Sequence, residues 1–297
     1  MSAHDRVSPH DIGRSLTHRI RNLAVERGVD PQRIRRLLVF QRMLARLARS
    51  EGWVVKGGFC LEVRLHLAGR ATKDLDLALT VPGELSVTDV QDLLDEALEI
   101  DADQDGFTFR VERPVPISAD DLGNGGWRAT VRAFLGGSEF QTAKVDIVAR
   151  SEEIADGTEV LFIDPPLAGA GFAQVQMPAV DVAQHAAEKL HAYCRIYAHE
   201  RPSSRVKDLV DLVLLEEAEL VDSVALAGRI HHVFAVRDGG AAPPAALPVP
   251  PVSWEIPYAG LAAELAIAAS DVHTAYQLVS DLYARAVHAA TTTERKP

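Results

Sequence analysis

The chain is poor in sulfur and has no long apolar run. Its 297 residues include 2 Cys and 3 Met. Cys60 and Cys194 make no disulfide framework, and both read as reduced, buried helix residues of a cytoplasmic protein. No run of about 18 apolar residues occurs, which argues against a membrane-spanning helix. Met1-Ser2-Ala3-His4-Asp5 lacks an apolar signal segment. No repeat of about 20–50 residues is visible. Lys is scarce beside Arg. What remains is ordinary for a globular protein, with 47% hydrophobic and 25% charged residues. That is enough for a sizeable core in one to three domains.

Net charge is −11, against bulk nucleic-acid binding, but the charge is unevenly spread. Residues 1–50 hold 11 Arg against 4 acidic residues, so this segment is +7 and the remainder −18. The stretch Pro31–Glu51 repeats apolar residues with a period near 3.6 (Ile34, Leu37, Leu38, Phe40, Met43, Leu44, Leu47) and reads as a helix. Asp30-Pro31 supplies an N-cap and a first-turn proline. Arg33, Arg35, Arg36, Arg42, Arg46 and Arg49 lie on it. They are either a solvated face or a phosphate-contact surface for RNA, with Arg35, Arg42 and Arg46 as the candidates.

The organisation that follows alternates helix and strand. Trp53–Lys56 reads as a strand, 59–67 as a helix, 73–80 as a strand and Val87–Ile100 as an amphipathic helix. Phe107–Val111, Trp127–Leu135 and Phe140–Val148 alternate, with a hairpin turn at Gly136-Gly137-Ser138. Strands are also expected at 159–163 and 174–177. From about Val180 the chain is helical, at 180–199, 205–218, 221–235, 258–268 and 271–289. The Gly/Ala/Pro stretch 239–251 reads as a linker or surface loop. The expected layout is a basic N-terminal helical arm at 1–50, a mixed α/β core at 51–178 and a helical domain at 179–297.

The chemistry concentrates at residues 56–79. Lys56-Gly57-Gly58 leads into a short helix, and Asp74-Leu75-Asp76 follows on a strand. Side chains at i and i+2 of a strand share a face, so Asp74 and Asp76 point the same way, about 7 Å apart. Two such carboxylates suit Mg²⁺, a hard cation usually shared with substrate phosphates. Backbone N–H groups at the Gly pair suit phosphate. Either motif alone is commonplace, as a turn or a solvated strand edge; their order and proximity make the pair informative.

Together these residues resemble the nucleotidyltransferase superfamily, and within it the AbiEii/AbiGii toxin branch that includes the mycobacterial MenT toxins. That branch carries Lys-Gly-Gly and then Arg-x-Ser/Thr-x-Asp-x-Asp, matched by Arg70-Ala71-Thr72-Lys73-Asp74-Leu75-Asp76. Two departures are visible. Phe59 stands where the family has Ser or Thr, and the spacing between the two halves is about one residue long.

The resemblance implies a nucleotidyltransferase-fold mixed sheet with a C-terminal helical domain. It implies a toxin that moves a nucleoside monophosphate from an NTP to an acceptor hydroxyl, in this branch the tRNA 3′ end, blocking aminoacylation. It also implies a cognate antitoxin and one or two Mg²⁺ ions. Lys56, Gly57, Gly58, Arg70 and Lys189 would bind the nucleotide. Asp146, in Lys144-Val145-Asp146-Ile147-Val148, would complete the metal site with Asp74 and Asp76 and help deprotonate the attacking hydroxyl; otherwise it is an alternating strand residue.

The family's later signature, Lys then Arg-Asp-x-x-Asp on the next helix, is matched by Lys189 and Lys207-Asp208-Leu209-Val210-Asp211. Lys207 replaces Arg there, and Arg205 could substitute. Asp211 would orient Lys189, unless the two form only a structural salt bridge. Thr72 would be a regulatory hydroxyl on the face of Asp74, or simply a β-branched strand residue. His185, His191 and His231-His232 lack zinc-site spacing and read as satisfied or exposed histidines. Two other readings stay open: transfer to a protein or small molecule, and a degenerate binding module, which Phe59 favours.

Overall fold

The computed structural model describes residues 9–66, 68–101, 103–117, 125–197, 201–202 and 205–293. It divides into two compact units. Unit 1 comprises Met1–Phe59, Ala71–Ser151 and Val160–Ala179; unit 2 comprises Cys60–Arg70, Glu152–Glu159 and Val180–Pro297.

Helices α1 (Pro9–Arg27) and α2 (Pro31–Leu47) open unit 1, followed by β1 (Trp53–Lys56), α3 (Gly57–Arg64), β2 (Asp74–Leu79) and α4 (Val87–Glu99). Strands β3 (Phe107–Val111), β4 (Val115–Ile117), β5 (Gly126–Leu135) and β6 (Ser138–Ala149) come next, then the single turn α5 (Ser151–Ile154), β7 (Thr158–Ile163) and β8 (Val175–Val180). The sheet runs β3-β5-β6-β2-β1-β8-β7, with β4 paired to β5. β2 lies antiparallel to β1 and parallel to β6, so the sheet is mixed. The short β4 and α5 carry too few residues for a periodic signal and were not anticipated.

The expected boundary at residue 50 is absent, because α2 belongs to the core of unit 1. Its N-terminus is fixed by Asp30, whose side chain accepts from the Gln32 N–H at 2.9 Å, with Pro31 in the first turn. Leu38, Val39, Phe40, Met43, Leu44 and Leu47 have no exposed surface. The expected phosphate-contact role of Arg42 and Arg46 is overturned by the same burial. Arg42 is 0% exposed and Arg46 2%. Both pair with the buried Asp105, Arg46 Nη2 at 2.8 Å and Arg42 Nη1 at 3.3 Å, and Asp103 and Asp101 complete the cluster. Their guanidinium carbons also sit over the rings of Phe172 (4.8 Å) and Phe109 (4.8 Å). The periodic pattern could place these arginines on a helix, but not show that carboxylates some 60 residues onward neutralise them.

Unit 2 contains α6 (Val182–Cys194), a small ladder of β9 (Ile196–Tyr197) and β10 (Arg201–Pro202), then α7 (Val206–Glu217), α8 (Ser223–Arg237), α9 (Glu255–Leu265) and α10 (Val272–Thr293). One core gathers Leu190, Leu209, Val213, Ile230, Tyr258 and Leu282. The stretch 239–251 is a fastened strap and no free linker. Tyr193, Tyr276 and Tyr283 donate their hydroxyls to the carbonyls of Pro248 (2.7 Å), Leu247 (3.1 Å) and Pro244 (2.5 Å), and Leu247 is buried. Proline-rich backbone lacks N–H donors but keeps its carbonyls, which these phenols use.

Breaking a buried ion pair costs about 3–5 kcal/mol, because the partner is left charged and unpaired. Arg46→Met should therefore destabilise the protein by about 3 kcal/mol in urea unfolding. RNA affinity of the folded fraction should stay unchanged; a selective RNA defect would restore the surface role.

Candidate active site

In unit 1, strand register assembles one polar row. Lys56 on β1 is paired with Asp76 on β2, Asp76 with Asp146 on β6, and Asp146 with Arg128 on β5. Directly paired residues share a face, so all four side chains lie on one side of the sheet. Asp74 lies two residues along, beside Lys144. Asp74 and Asp76 are half-buried, while Leu75 and Leu77 between and beyond them are fully buried. This anchoring holds the carboxylates on a rigid edge.

α3 starts at Gly57, immediately after β1 ends. Gly57 has φ +68, and a Cβ there would lie 2.0 Å from Asp76 Oδ2 and 2.6 Å from its Cγ. Glycine is thus required twice: for a left-handed backbone and for the closeness of the chain to a carboxylate. The neighbouring Phe59 is 1% exposed and packs edge-on against Phe40, centroids 5.7 Å apart. Its side chain belongs to the core, so position 59 offers the turn no hydroxyl and leaves it backbone N–H groups alone.

Asp146 does not stand ready as a third metal ligand. Arg128 forks onto it, with Nε–Oδ1 and Nη2–Oδ2 both 2.6 Å. That bond and the Asp146 charge, with further pull from Asp74 and Asp76, raise the Arg128 pKa still higher. Among the described residues no set of three His, Cys, Asp or Glu side chains is arranged to hold a metal ion. The three-carboxylate centre expected from sequence is therefore not assembled. Asp74 and Asp76 remain a fitting pair, because Mg²⁺ in nucleotide sites commonly takes one or two carboxylates plus phosphate oxygens.

Thr72 is not on the β2 face. It precedes the strand, is 6% exposed, and donates its hydroxyl to the Asp74 carbonyl at 2.9 Å. Arg36 Nε holds the Thr72 carbonyl at 2.8 Å. Phosphorylation would require this segment to open.

In unit 2, two buried carboxylates on α7 gather three cations. Lys189 Nζ lies 2.6 Å from Asp211 Oδ2 and 2.9 Å from Asp208 Oδ1. Arg70 forks onto Asp211 at 3.3 and 3.2 Å. Arg205 Nε pairs with Asp208 at 2.7 Å. Burial works against charge on Lys189, yet Asp211 and Asp208 outweigh it and hold the ammonium protonated. Burial likewise opposes charge on Asp211, and Lys189 and Arg70 outweigh that, lowering its pKa.

His185, one turn before Lys189, departs from the satisfied or exposed histidine expected. It is 1% exposed, and neither ring nitrogen has a hydrogen-bond partner. Burial, then the charges of Lys189 and Arg64, push its pKa down to about 3.

The family model for the AbiEii nucleotidyl transferase toxin, a type IV toxin–antitoxin system, matches residues 39–277. A sequence comparison with curated proteins gave no match. Among solved structures the chain is similar to MenT4, a nucleotidyltransferase toxin from Mycobacterium tuberculosis H37Rv. Identity is 24%, coverage is 88% of this chain and 84% of that one, and the TM-score is 0.47.

His185 makes stability pH-dependent. Its folded pKa lies below its unfolded value of about 6.5, so the unfolded chain binds a proton first as pH falls. Stability is then full above pH 6.5 and declines toward about pH 3, at about 1.4 kcal/mol per pH unit for one proton. His185→Leu should flatten the melting temperature between pH 7 and pH 4 relative to wild type. Parallel profiles for the two proteins would mean that the imidazole charges in the folded state.

Proposed function

Because the chain belongs to the AbiEii family of nucleotidyl transferase toxins of type IV toxin–antitoxin systems, we propose that it moves a nucleoside monophosphate from an NTP to the 3′ hydroxyl of a tRNA. The modified tRNA is then barred from aminoacylation, and a cognate antitoxin restrains the enzyme. The observation that carries the chemistry is Gly57 folded directly onto Asp76, which brings phosphate-binding backbone beside a carboxylate pair. No described helix is long and apolar enough to cross a membrane.

Asp74 and Asp76 would hold a magnesium ion, which would supply charge neutralisation to the reacting phosphates. The chain's own part is positioning. Asp74 and Asp76 are fixed by the buried leucines of β2, and the β1–α3 turn offers backbone N–H groups to phosphate. Lys56, Arg70 and Lys189 are assigned to the nucleotide by the family pattern. The acceptor oxygen bonds to the α-phosphorus, the α–β P–O bond breaks, and pyrophosphate leaves. Asp146 takes the hydroxyl proton, a role for which Arg128 must first leave its oxygens.

The deciding experiment gives the protein α-labelled NTP with total RNA and with total protein. Label in RNA supports the proposal. Label in protein or a small molecule moves the acceptor to another class, and no label anywhere supports a binding module. Asp74→Asn should lower transfer at least 100-fold with the melting temperature unchanged or slightly higher, since it removes mutual repulsion and no core contact.

Two substitutions should move divalent-cation affinity in opposite directions, measured with Mn²⁺ in titrations without substrate. Gly57→Ala drives a Cβ into Asp76 and should weaken binding severalfold. Arg128→Gln frees Asp146 and should strengthen it severalfold. Equal affinities in all three proteins would remove the metal from this face.

A further inference from the structure

A second charged feature of unit 1 lies apart from the carboxylate row. The outer side of α1 and the β5–β6 hairpin enclose an open cleft of about 390 Å³, lined by Arg14, Thr17, His18, Arg21, Arg35 and Phe140 among others. Leu16, Ile20 and Ala24, each four residues apart, are buried and seat α1. This leaves Arg14, Thr17, His18 and Arg21 together along the flank of the helix.

The floor is built by a bulge. Pairing runs Phe134 to Glu139 and then Ala133 to Gln141, so Phe140 is passed over in the ladder. Its carbonyl accepts from Arg35 Nη1 at 3.0 Å, and its ring lies 4.5 Å beneath the guanidinium. Arg35 Nη2 also reaches Thr17 Oγ1 at 3.4 Å. Arg35 is thus held in place by neutral groups.

Arg21 lies close enough that its charge, after burial, lowers the Arg35 pKa. Among the described residues neither Arg21 nor Arg35 has a carboxylate within ion-pair distance. Glu139, the acidic residue of the lining, is turned to Arg132 at 3.8 Å and accepts from Thr142 at 2.9 Å. On the same helix as Arg35, Arg42 and Arg46 have Asp101, Asp103 and Asp105. The protein neutralises one set of arginines and leaves the other facing solvent in a concave site.

We propose that this cleft seats a backbone phosphate of the RNA acceptor, gripped by Arg35 and Arg21 with Arg14 and His18 at its edge. It rests on the reading that the acceptor is RNA. Guanidinium forks match phosphate oxygens two at a time, and an anion relieves the repulsion that the folded protein leaves in place. The volume falls in the range of specific small-ligand sites, ample for one nucleotide unit. Its contribution to binding is independent of base sequence.

Arg21 is exposed, so Arg21→Glu tests the cleft without disturbing the core. Binding of unfractionated tRNA to the full chain is measured by anisotropy across a salt series. Arg27→Glu, the same charge change on another face of α1, is the control. Arg21→Glu should weaken binding about tenfold at low salt and reduce the log–log salt slope by about 1, one phosphate contact. Arg27→Glu should do markedly less, and affinity for a fluorescent NTP analogue should be unchanged in both.

Equal effects of the two substitutions, or none, would overturn the proposal. So would Arg21-dependent binding of inorganic phosphate that leaves tRNA affinity no weaker than chloride of the same ionic strength does, which marks a small-anion site that the RNA does not use. Retained tRNA affinity with loss of binding to polyglutamate would overturn it in favour of an acidic protein. Failure of wild-type protein to bind the NTP analogue or transfer label would instead count against the nucleotidyltransferase reading, since tRNA affinity is measured without turnover.

Discussion

The pairing of Lys56 with Asp76 across β1 and β2 is the constraint on which the rest of the sheet face depends. β1 ends at Lys56 and α3 begins at once, so the chain must turn within Gly57. The register places Asp76 under that turn, and only a residue without Cβ fits between. Because β2 is central, the same register aligns Asp146 and Arg128 beyond it. A one-residue slip of β2 would send both aspartates into the core and all three leucines to the opposite face. Leu75, Leu77 and Leu79 oppose that slip through the apolar surface they bury, on the order of 2 kcal/mol each. The functional row is thus held in register by side chains that do no chemistry.

Local patterns were legible wherever they were long or capped. The alternation of Asp74–Leu79, the Asp30-Pro31 start of α2 and the periodic faces of α4 and the C-terminal helices all carry their geometry in adjacent residues. Arg128 was missed for a specific reason. Counting outward from the Gly136-Gly137 turn pairs Asp146 with Trp127, on the wrong face. The bulge at Phe140 shifts the register by one and brings Arg128 opposite instead. Bulges insert a residue without a strong sequence mark, so no count from the turn could pass it. The burial of His185 was equally hidden, because an imidazole on an apolar helix face looks the same whether or not its nitrogens find partners.

Charge placement shows the same division between local and distant information. The excess of arginine in the first 50 residues was visible in composition, and the surface reading followed from it. The fold sorts those arginines by what meets them. Arg42 and Arg46 turn inward to the acidic loop after α4, where burial and pairing make them structural. Arg35, two turns earlier on α2, meets a carbonyl, a hydroxyl and an aromatic ring.

None of those groups cancels its charge. Two cations side by side without a counter-charge oppose folding, whereas a buried ion pair at least offsets part of its desolvation. An acidic chain, with 42 carboxylate residues against 31 Lys and Arg, has ample means to neutralise such a pair. Leaving it uncancelled is what a ligand anion would require, since each carboxylate placed there would compete with that anion. The same reasoning separates Arg128 from Arg35. Arg128 is already satisfied by Asp146 and must exchange partners before Asp146 can serve, whereas Arg35 and Arg21 present their charge without any rearrangement.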